Sequence, residues 1–226
     1  MARLGAPFPL YGLGLVGDDD DGRAILVDCA SRGIDVSRLG VSPEAGTSCT
    51  DVMTVRATGR RTFFHYRGAN ARLGPDDIRL DDCSARLFHF GYLLLLDRLD
   101  QIGPDGSTGA AGVLKPARAL GMFTSVDVVS EHGGRFATVV GPSLPHTDVL
   151  NELEAARSAG VDVTAADGRL DFDRVSEAAA RLLAMGRAQV GRDSRARGRP
   201  RARVGRHRGA PTQRRRRRDR RGGGRG

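Results

Sequence analysis

The sequence predicts an α/β fold for residues 1–186 of the 226-residue chain, with helices on both faces of a mainly parallel sheet. Two observations support this prediction. Apolar residues recur alternately with the helical period of 3.6 and with the strand period of two, as in βαβ units. Residues 46–67 instead hold two neighbouring segments with a period of two, which indicates an antiparallel hairpin beside the parallel sheet.

The first predicted strand, residues 10–17, contains a Gly-x-Gly-x-x-Gly pattern at Gly12, Gly14 and Gly17. A dinucleotide-binding fold requires a helix to open within these glycines. Here the four carboxylates of residues 18–21 follow the third glycine and would repel a pyrophosphate. We therefore interpret the aspartates as the start of a helix, whose positive end favours acidic side chains.

Three helices follow from the apolar spacing: residues 23–32, residues 110–120 and residues 171–186. Gly33 is expected to cap the first helix, and Pro116 to interrupt the second. The predicted buried face of the first helix consists of Ile25, Leu26, Cys29 and Ala30. The predicted buried face of the third consists of Val175, Ala179, Leu182 and Leu183.

The hairpin is predicted from β-branched and aromatic residues in positions 50–55 and 61–66, which flank a turn at residues 57–60. Arg61 is interpreted as a solvated arginine at a sheet edge, although it could pair with an anionic ligand. Ordinary sheet packing is expected for whichever aromatic side chains of the second strand, Phe63, Phe64 and Tyr66, face inward.

Two later strands are predicted at residues 85–92 and 122–130. Ligands of open α/β sheets bind at the carboxyl ends of the strands. Gly91 and Tyr92 end the first of these strands, and Asp127 lies near the end of the second. These three residues are therefore candidate substrate contacts.

A short buried strand ends at Val149 and Leu150, and a helical pattern begins directly after it. Asn151 is a favourable N-cap, and Glu154 lies at the third helical position. Glu154 can reach back to the Asn151 backbone in a capping box. Alternatively, the exposed N–H groups and the helix dipole can bind an anion at this helix start.

Charge divides the chain near residue 186. Residues 1–186 contain 18 Arg, one Lys and 25 acidic residues (net −6), whereas residues 187–226 contain 17 Arg and two acidic residues (net +15). The second segment has no Leu, Ile, Phe, Tyr or Met, so it cannot offset an ordering entropy of ~1–2 kcal/mol per residue. We expect a disordered tail that binds polyanions only through charge.

A shifted reading frame in GC-rich DNA would also give the composition of residues 187–226, and we favour that explanation because Lys is absent from this segment.

Cys29, Cys49 and Cys83 are odd in number and widely spaced, which argues against a disulfide framework or a zinc site. The N-terminus has no apolar signal core. The longest apolar run, residues 92–96, is far too short to cross a membrane. A cytoplasmic protein that does not interact with membranes is therefore expected.

Several segments, taken in order, resemble motifs of the ribokinase-like (PfkB-type) carbohydrate kinases. Residues 17–22 are similar to a Gly-Asp-Asp-x-x-Gly motif, residues 33–39 to the signature that follows it, and the hairpin to a small β-lid over the sugar. Asn151 and Glu154 match an Asn-x-x-Glu motif directly after a strand. The resemblance therefore implies a three-layer ribokinase-like fold with a lid at about residues 46–67.

The resemblance also implies a function: ATP-dependent phosphorylation of a sugar or sugar acid, with homodimer formation through the lid. It implies that Asn151 lies near the transferred phosphate and that Glu154 helps to place Mg²⁺. The residues implied to contact the sugar are Asn70, Gly91, Tyr92 and Asp127.

The sequence departs from the family pattern at both ends. Family members begin with a strand that carries a sugar-binding Asp and a Gly-Gly segment, and neither precedes Ala2. They end with Gly-Ala-Gly-Asp, which supplies an anion hole and the catalytic base, and no Gly-x-Gly-Asp occurs in this sequence. We therefore expect a truncated kinase domain with impaired or absent activity. Two alternatives remain: a non-specific nucleic-acid-binding protein that uses its tail, and a sugar-binding pseudokinase.

Overall fold

A computed structural model describes residues 1–129, 135–150, 160–163 and 171–184. The predicted Asn-x-x-Glu motif at residues 151–154 and the Arg-rich tail lie outside these described residues. The strands are β1 (Leu10–Gly17), β2 (Ile34–Ser42), β3 (Cys49–Thr54), β4 (Arg61–Tyr66), β5 (Leu87–Leu93), β6 (Phe123–Val128) and β7 (Val149–Leu150). The helices are α1 (Asp20–Ser31), α2 (Gly68–Arg72), α3 (Asp97–Asp100), α4 (Gly109–Ala119) and α5 (Phe172–Ala184).

The described strands form two parallel sheets and one antiparallel hairpin. β1 pairs with β2, and β5, β6 and β7 form a three-stranded sheet in that order, in both cases with parallel strands. β3 and β4 pair with each other in antiparallel register. This arrangement of parallel sheets and helices confirms the predicted α/β class.

The main core lies against one face of the β5–β6–β7 sheet. Phe88 and Phe90 are buried while Leu87 and His89, on the opposite face of β5, are exposed. Leu13 and Leu15 connect the β1–β2 sheet to this core, because both pack against its buried residues. Other buried members come from β6, α3, α4 and residues 136–144, and include Val126, Val128, Leu99, Leu114, Val140 and Leu144.

Helix α1 begins at Asp20, earlier than predicted, because the Asp19 side chain caps it by accepting a hydrogen bond from the Gly22 amide at 2.8 Å. Gly33 follows its end with φ +72°, as predicted. The predicted buried face is wrong in part. Leu26 and Cys29 are half-buried, but Ile25 and Ala30 are exposed, because α1 packs mainly against β1 and β2.

Helix α4 continues through Pro116, contrary to the predicted interruption. Proline removes one backbone hydrogen bond and crowds the preceding turn. Two features offset this loss: the Thr108 hydroxyl caps the helix by accepting a hydrogen bond from the Ala111 amide at 3.3 Å, and one side of the helix is buried in the core. Its buried residues are Ala110, Ala111, Val113, Leu114 and Ala117.

The hairpin pairs Cys49 with Tyr66 at its base and Thr54 with Arg61 at its tip. Gly59, with φ +69°, allows the tight turn between the strands. None of the three aromatic rings is buried: Phe63 is 46% exposed, and Phe64 and Tyr66 are 55% and 54% exposed. The reason is that β3 and β4 pair with no third strand among the described residues.

Helix α5 places Val175 and Ala178 against Val163 in a small separate cluster. Of its predicted buried face, Val175 is buried, and the other three side chains lie outside the described part. No helix within the described ranges combines the length and the hydropathy that spanning a membrane would require.

Candidate functional site

The short helix α2 links the carboxyl ends of β1 and β5. It follows the hairpin and packs against β1 and α3. Its first turn is tied to the loop before the hairpin, since the Ala69 amide donates to the Gly46 carbonyl at 2.9 Å. On the other side, Arg67 forms an ion pair with Asp97, the first residue of α3, which comes shortly after β5. Asn70 therefore lies on a helix between two strand ends.

Two predicted substrate contacts, Gly91 and Asp127, are brought together on neighbouring strands. A Cβ atom built on Gly91 would lie 3.9 Å from the Asp127 Cβ atom and 3.5 Å from the His89 Nε2 atom. The β5–β6 register shifts after Phe90, so that Gly91 and Tyr92 leave the regular ladder just before the strand ends. Tyr92 is 49% exposed. This end of β5 thus presents an open backbone, an aromatic ring and a neighbouring carboxylate.

The predicted nucleotide residues cannot be placed in the same way. Asn151 and Glu154 lie outside the described residues, so their contacts to phosphate and Mg²⁺ remain predictions. The strand before them does form as predicted: β7 runs parallel to β6, and Leu150 pairs with Val126. Leu150 is 1% exposed, so this strand is anchored in the core beside the strand that carries Asp127.

A carboxylate that the sequence analysis did not identify, Asp19, joins the end of β1 to the base of the hairpin. Its Oδ2 atom accepts a hydrogen bond from the Thr47 amide at 2.6 Å, and its Oδ1 atom accepts one from the Thr47 hydroxyl at 2.5 Å. The hydroxyl of Thr47 and the amides of Thr47 and Gly22 together lower the pKa of the Asp19 carboxyl below its ordinary value. The acidic run was visible in the sequence, but the pairing with Thr47 has no local signal.

A second unpredicted carboxylate, Asp100, closes the loop that follows β5. It is 5% exposed, and it accepts hydrogen bonds from the Leu94 amide at 3.0 Å and the Leu96 amide at 3.1 Å. Burial raises the pKa of Asp100, while these two amides act in the opposite direction. The side chain therefore fixes the backbone immediately after the candidate substrate contacts.

We expect Asp100→Ala to lower the free energy of unfolding by about 2 kcal/mol, because two buried amides lose their acceptor. Asp100→Asn should have a smaller effect, since its amide oxygen retains one bond and no charge is buried. Urea unfolding at pH 7 measures both changes. Asp81→Ala, at an exposed carboxylate, is the control, and an Asp100→Ala variant as stable as this control would contradict the proposed role of Asp100.

The described residues contain no cluster of three or more His, Cys, Asp or Glu side chains suited to holding a metal ion. Mg²⁺ does not require such a cluster, because it is commonly bound by one or two carboxylates together with phosphate oxygens and water. A single carboxylate such as that of Glu154 is therefore a donor of the right type.

No model of a known protein family matches the sequence. The chain is 41% identical over 66 residues to the 2-dehydro-3-deoxygluconokinase of Thermoproteus tenax, a match that covers 28% of this chain and 20% of that protein. Its fold is similar to a ribokinase from Giardia lamblia, with a TM-score of 0.61, 20% identity and coverage of 82% of this chain and 54% of that one.

Two further solved structures are similar. A 2-dehydro-3-deoxygluconokinase from Thermotoga maritima has a TM-score of 0.62 and 18% identity, with 80% of this chain and 56% of that chain covered. A fructokinase from Xylella fastidiosa has a TM-score of 0.59 and 21% identity, with 84% and 56% covered. The chain thus spans about half the length of these solved kinases.

These similarities agree with the parallel sheets and helices described above. The chain has the fold of the ribokinase-like, PfkB-type carbohydrate kinases.

Proposed function

We propose that the site of this protein is built for ATP-dependent phosphorylation of a hydroxyl group on a sugar or sugar acid, a reaction that we expect to be impaired or absent in this chain because its sequence contains no Gly-x-Gly-Asp segment. The observation that carries the proposal is the juxtaposition of Gly91, Tyr92 and Asp127 at the end of two parallel strands. In open α/β folds this edge of the sheet is where ligands bind. The similar proteins named 2-dehydro-3-deoxygluconokinase, ribokinase and fructokinase support the choice of a polyhydroxylated substrate.

The chemistry of these residues suits a sugar. The Asp127 carboxylate can accept hydrogen bonds from two hydroxyl groups, and the Tyr92 ring can pack against the apolar face of a sugar ring. Gly91 leaves the backbone accessible, because it has no side chain between Asp127 and the ligand. Asn70 can donate and accept hydrogen bonds from the neighbouring helix.

ATP is proposed to bind beyond the end of β7, where the sequence places Asn151 and Glu154. Crystal structures similar to this chain include a fructokinase with bound ATP, with a TM-score of 0.58. When bound, Mg²⁺ supplies charge neutralisation at the phosphate oxygens. Glu154 provides a carboxylate for that ion, and Asn151 provides an amide near the phosphate that is transferred.

Calorimetric titration of the full chain tests both binding steps. We expect Asp127→Ala to weaken binding of the preferred sugar by about tenfold or more, because hydrogen bonds to a charged group are lost. The sugars tested for binding are 2-dehydro-3-deoxygluconate, fructose and ribose. Asp81→Ala, which removes an exposed carboxylate elsewhere, should leave binding unchanged.

ATP binding is tested with a separate pair of variants. Glu154→Gln should weaken ATP binding in the presence of Mg²⁺ and leave Mg²⁺-free binding nearly unchanged, whereas Glu152→Gln should alter neither. If Glu154→Gln instead lowers only the stability, by ~1 kcal/mol, Glu154 belongs to a capping box and not to the nucleotide site.

We further propose that the protein forms a homodimer through the hairpin. An isolated two-stranded hairpin is marginally stable in water, yet β3 and β4 expose apolar side chains on both faces. The pairing register places Met53, Phe64 and Tyr66 on one face and Val52 and Phe63 on the other. Contact with a second copy would remove these side chains from water.

The dimer is tested by light scattering during size-exclusion chromatography. Phe64→Ser should shift the chain from dimer to monomer at micromolar concentration. Leu120→Ser, which changes a residue that is 60% exposed outside the hairpin, should leave the mass unchanged. A wild-type chain that is monomeric at these concentrations would contradict the proposal.

A further inference from the structure

The two chain segments at the base of the hairpin are tied to each other as one unit. The Ser48 hydroxyl donates to the Arg67 carbonyl at 2.6 Å and accepts a hydrogen bond from the Asn70 amide at 2.9 Å. The Ala69 amide donates to the Gly46 carbonyl at 2.9 Å. The segments that enter and leave the hairpin are therefore hydrogen-bonded to each other at its base.

The segment that enters the hairpin attaches this unit to the end of β1 and the start of α1. Both oxygens of the Asp19 carboxylate accept hydrogen bonds from Thr47, at 2.5 and 2.6 Å. The Thr47 hydroxyl in turn accepts a hydrogen bond from the Gly17 amide, at the end of β1, at 2.9 Å. Thr47 is 8% exposed and Asp19 is half-buried, so this charge-assisted network is partly shielded from solvent.

The backbone packing at this point leaves no room for sliding. A Cβ atom on Gly17 would lie 2.4 Å from the Thr47 amide nitrogen, and one on Gly22 would lie 2.1 Å from the Gly17 carbonyl oxygen. A Cβ atom on Gly68 would lie 2.3 Å from the Gly46 carbonyl oxygen. Gly17 thus allows the hairpin base to lie directly against the end of β1, Gly22 allows α1 to begin beside it, and Gly68 allows the two segments of the hairpin base to meet.

The exit side is attached differently. Beyond the hairpin, Arg67 pairs with Asp97 of α3, whereas Arg72 pairs with Glu44 in the segment before the hairpin, and all four side chains are between 38% and 64% exposed. Exposed ion pairs contribute little to stability and exchange readily with water. The hairpin base is therefore held on its entry side by the Asp19–Thr47 hydrogen bonds, and on its exit side by the packing of α2 against β1 and α3 together with exposed ion pairs.

We propose that Asp19 and Thr47 form the pivot of the hairpin, so that the Asp19 carboxylate sets the orientation of the hairpin relative to the strand ends. Asp19 acts through Thr47 and is a positioning residue, not a catalytic one. The consequence for sugar binding rests on the proposed function, whereas the pivot itself is a property of the fold.

The pivot is tested by measuring the distance between the hairpin and the body in the full chain. Spin labels are attached to Cys49, which is exposed on β3, and to Lys115→Cys on the exposed side of α4, and the labelled chain is diluted with unlabelled chain so that only distances within one chain are measured. Cys29→Ser and Cys83→Ser remove the two other thiols. Pulsed electron resonance then gives the distribution of distances between the labels without any substrate.

We expect Thr47→Val and Asp19→Asn to widen this distribution about twofold, because the hairpin loses its fixed attachment. Thr47→Ser retains the hydroxyl and should restore the narrow distribution. Asp21→Asn, an exposed carboxylate in the same acidic run, is the matched control and should have no effect.

Melting temperatures, compared with the distance distributions, show whether Asp19 acts as the pivot or only as the cap of α1. If Asp19→Asn lowers the melting temperature while the distance distribution stays as narrow as in the wild type, Asp19 only caps α1 and the proposal is wrong. Thr47→Val is close in shape to the wild type, so it tests the pivot even if Asp19→Asn does not fold. Adding the sugar afterwards tests the proposed function separately, since a chain that binds no sugar still reports the pivot.

Discussion

Gly22→Ala is expected to lower the free energy of unfolding by about 3 kcal/mol or more, although alanine is the better helix former by ~1 kcal/mol. Gly22 lies in the first turn of α1 and is buried. An added Cβ atom would lie 2.1 Å from the Gly17 carbonyl oxygen and 2.9 Å from the Thr47 hydroxyl oxygen. The backbone oxygen cannot rotate away, so the helix start must move away from β1. That movement would also break the bonds that Asp19 makes with Thr47.

Gly112→Ala in α4 is the matched control. No atom lies within 4 Å of a Cβ atom built on Gly112, so the substitution brings the gain in helix propensity without an overlap. We expect it to raise the free energy of unfolding by about 0.5–1 kcal/mol. Urea unfolding of both variants measures the difference, and equal effects of the two substitutions would show that the close contact at Gly22 is unimportant.

The features that the sequence predicted correctly are those with a local cause. The turn of the hairpin needs a positive φ angle, and Gly59 supplies it. The end of α1 needs a residue in the left-handed region, and Gly33 supplies that. β7 was recognised because an apolar pair precedes an N-cap residue. Such signals are complete within a few residues and require no knowledge of the tertiary structure.

The features that the sequence did not predict depend on contacts between distant parts of the chain. Asp19 and Thr47 are 28 positions apart, and no periodicity relates them. Asp100 is an ordinary exposed acid by pattern, and it becomes buried only because the loop after β5 folds over it. Conversely, Ile25 and Phe63 have the pattern of buried residues but are exposed, because a period predicts which face is apolar and not what covers that face.

The candidate site likewise has some features that the sequence predicted and others that depend on contacts between distant residues. The positions of Gly91 and Asp127 at strand ends followed from a general rule about parallel sheets. Their separation, 3.9 Å between an added Gly91 Cβ atom and the Asp127 Cβ atom, required the actual register of β5 and β6. The register shift after Phe90 has no signal in the sequence, and it is what frees Tyr92 from the strand ladder.

The 226-residue polypeptide is expected to release ADP from ATP, Mg²⁺ and sugar at least about 10⁴-fold more slowly than the ~1–100 per second typical of kinases. Phosphoryl transfer depends on positioning and electrostatic stabilisation. A general base contributes about 10²–10⁴-fold and a set of anion-stabilising donors about 10²–10³-fold. The sequence contains no Gly-x-Gly-Asp segment that would supply both. The proposed sugar contacts Gly91, Tyr92 and Asp127 lie outside any such segment, so we expect binding without turnover.

A coupled assay for ADP, run beside the calorimetric titration, measures this separation of binding from turnover. Translation of the coding DNA beyond codon 186 in the two other frames gives the comparison protein. If one frame contains Gly-x-Gly-Asp before a helical pattern, the restored protein should turn over at ~1–100 per second. Should the 226-residue chain itself reach such rates, another residue must accept the hydroxyl proton. Asp127 would then be the first candidate, because its carboxylate lies beside Gly91 at the strand ends, and Asp127→Asn should abolish the turnover while Asp81→Asn should not.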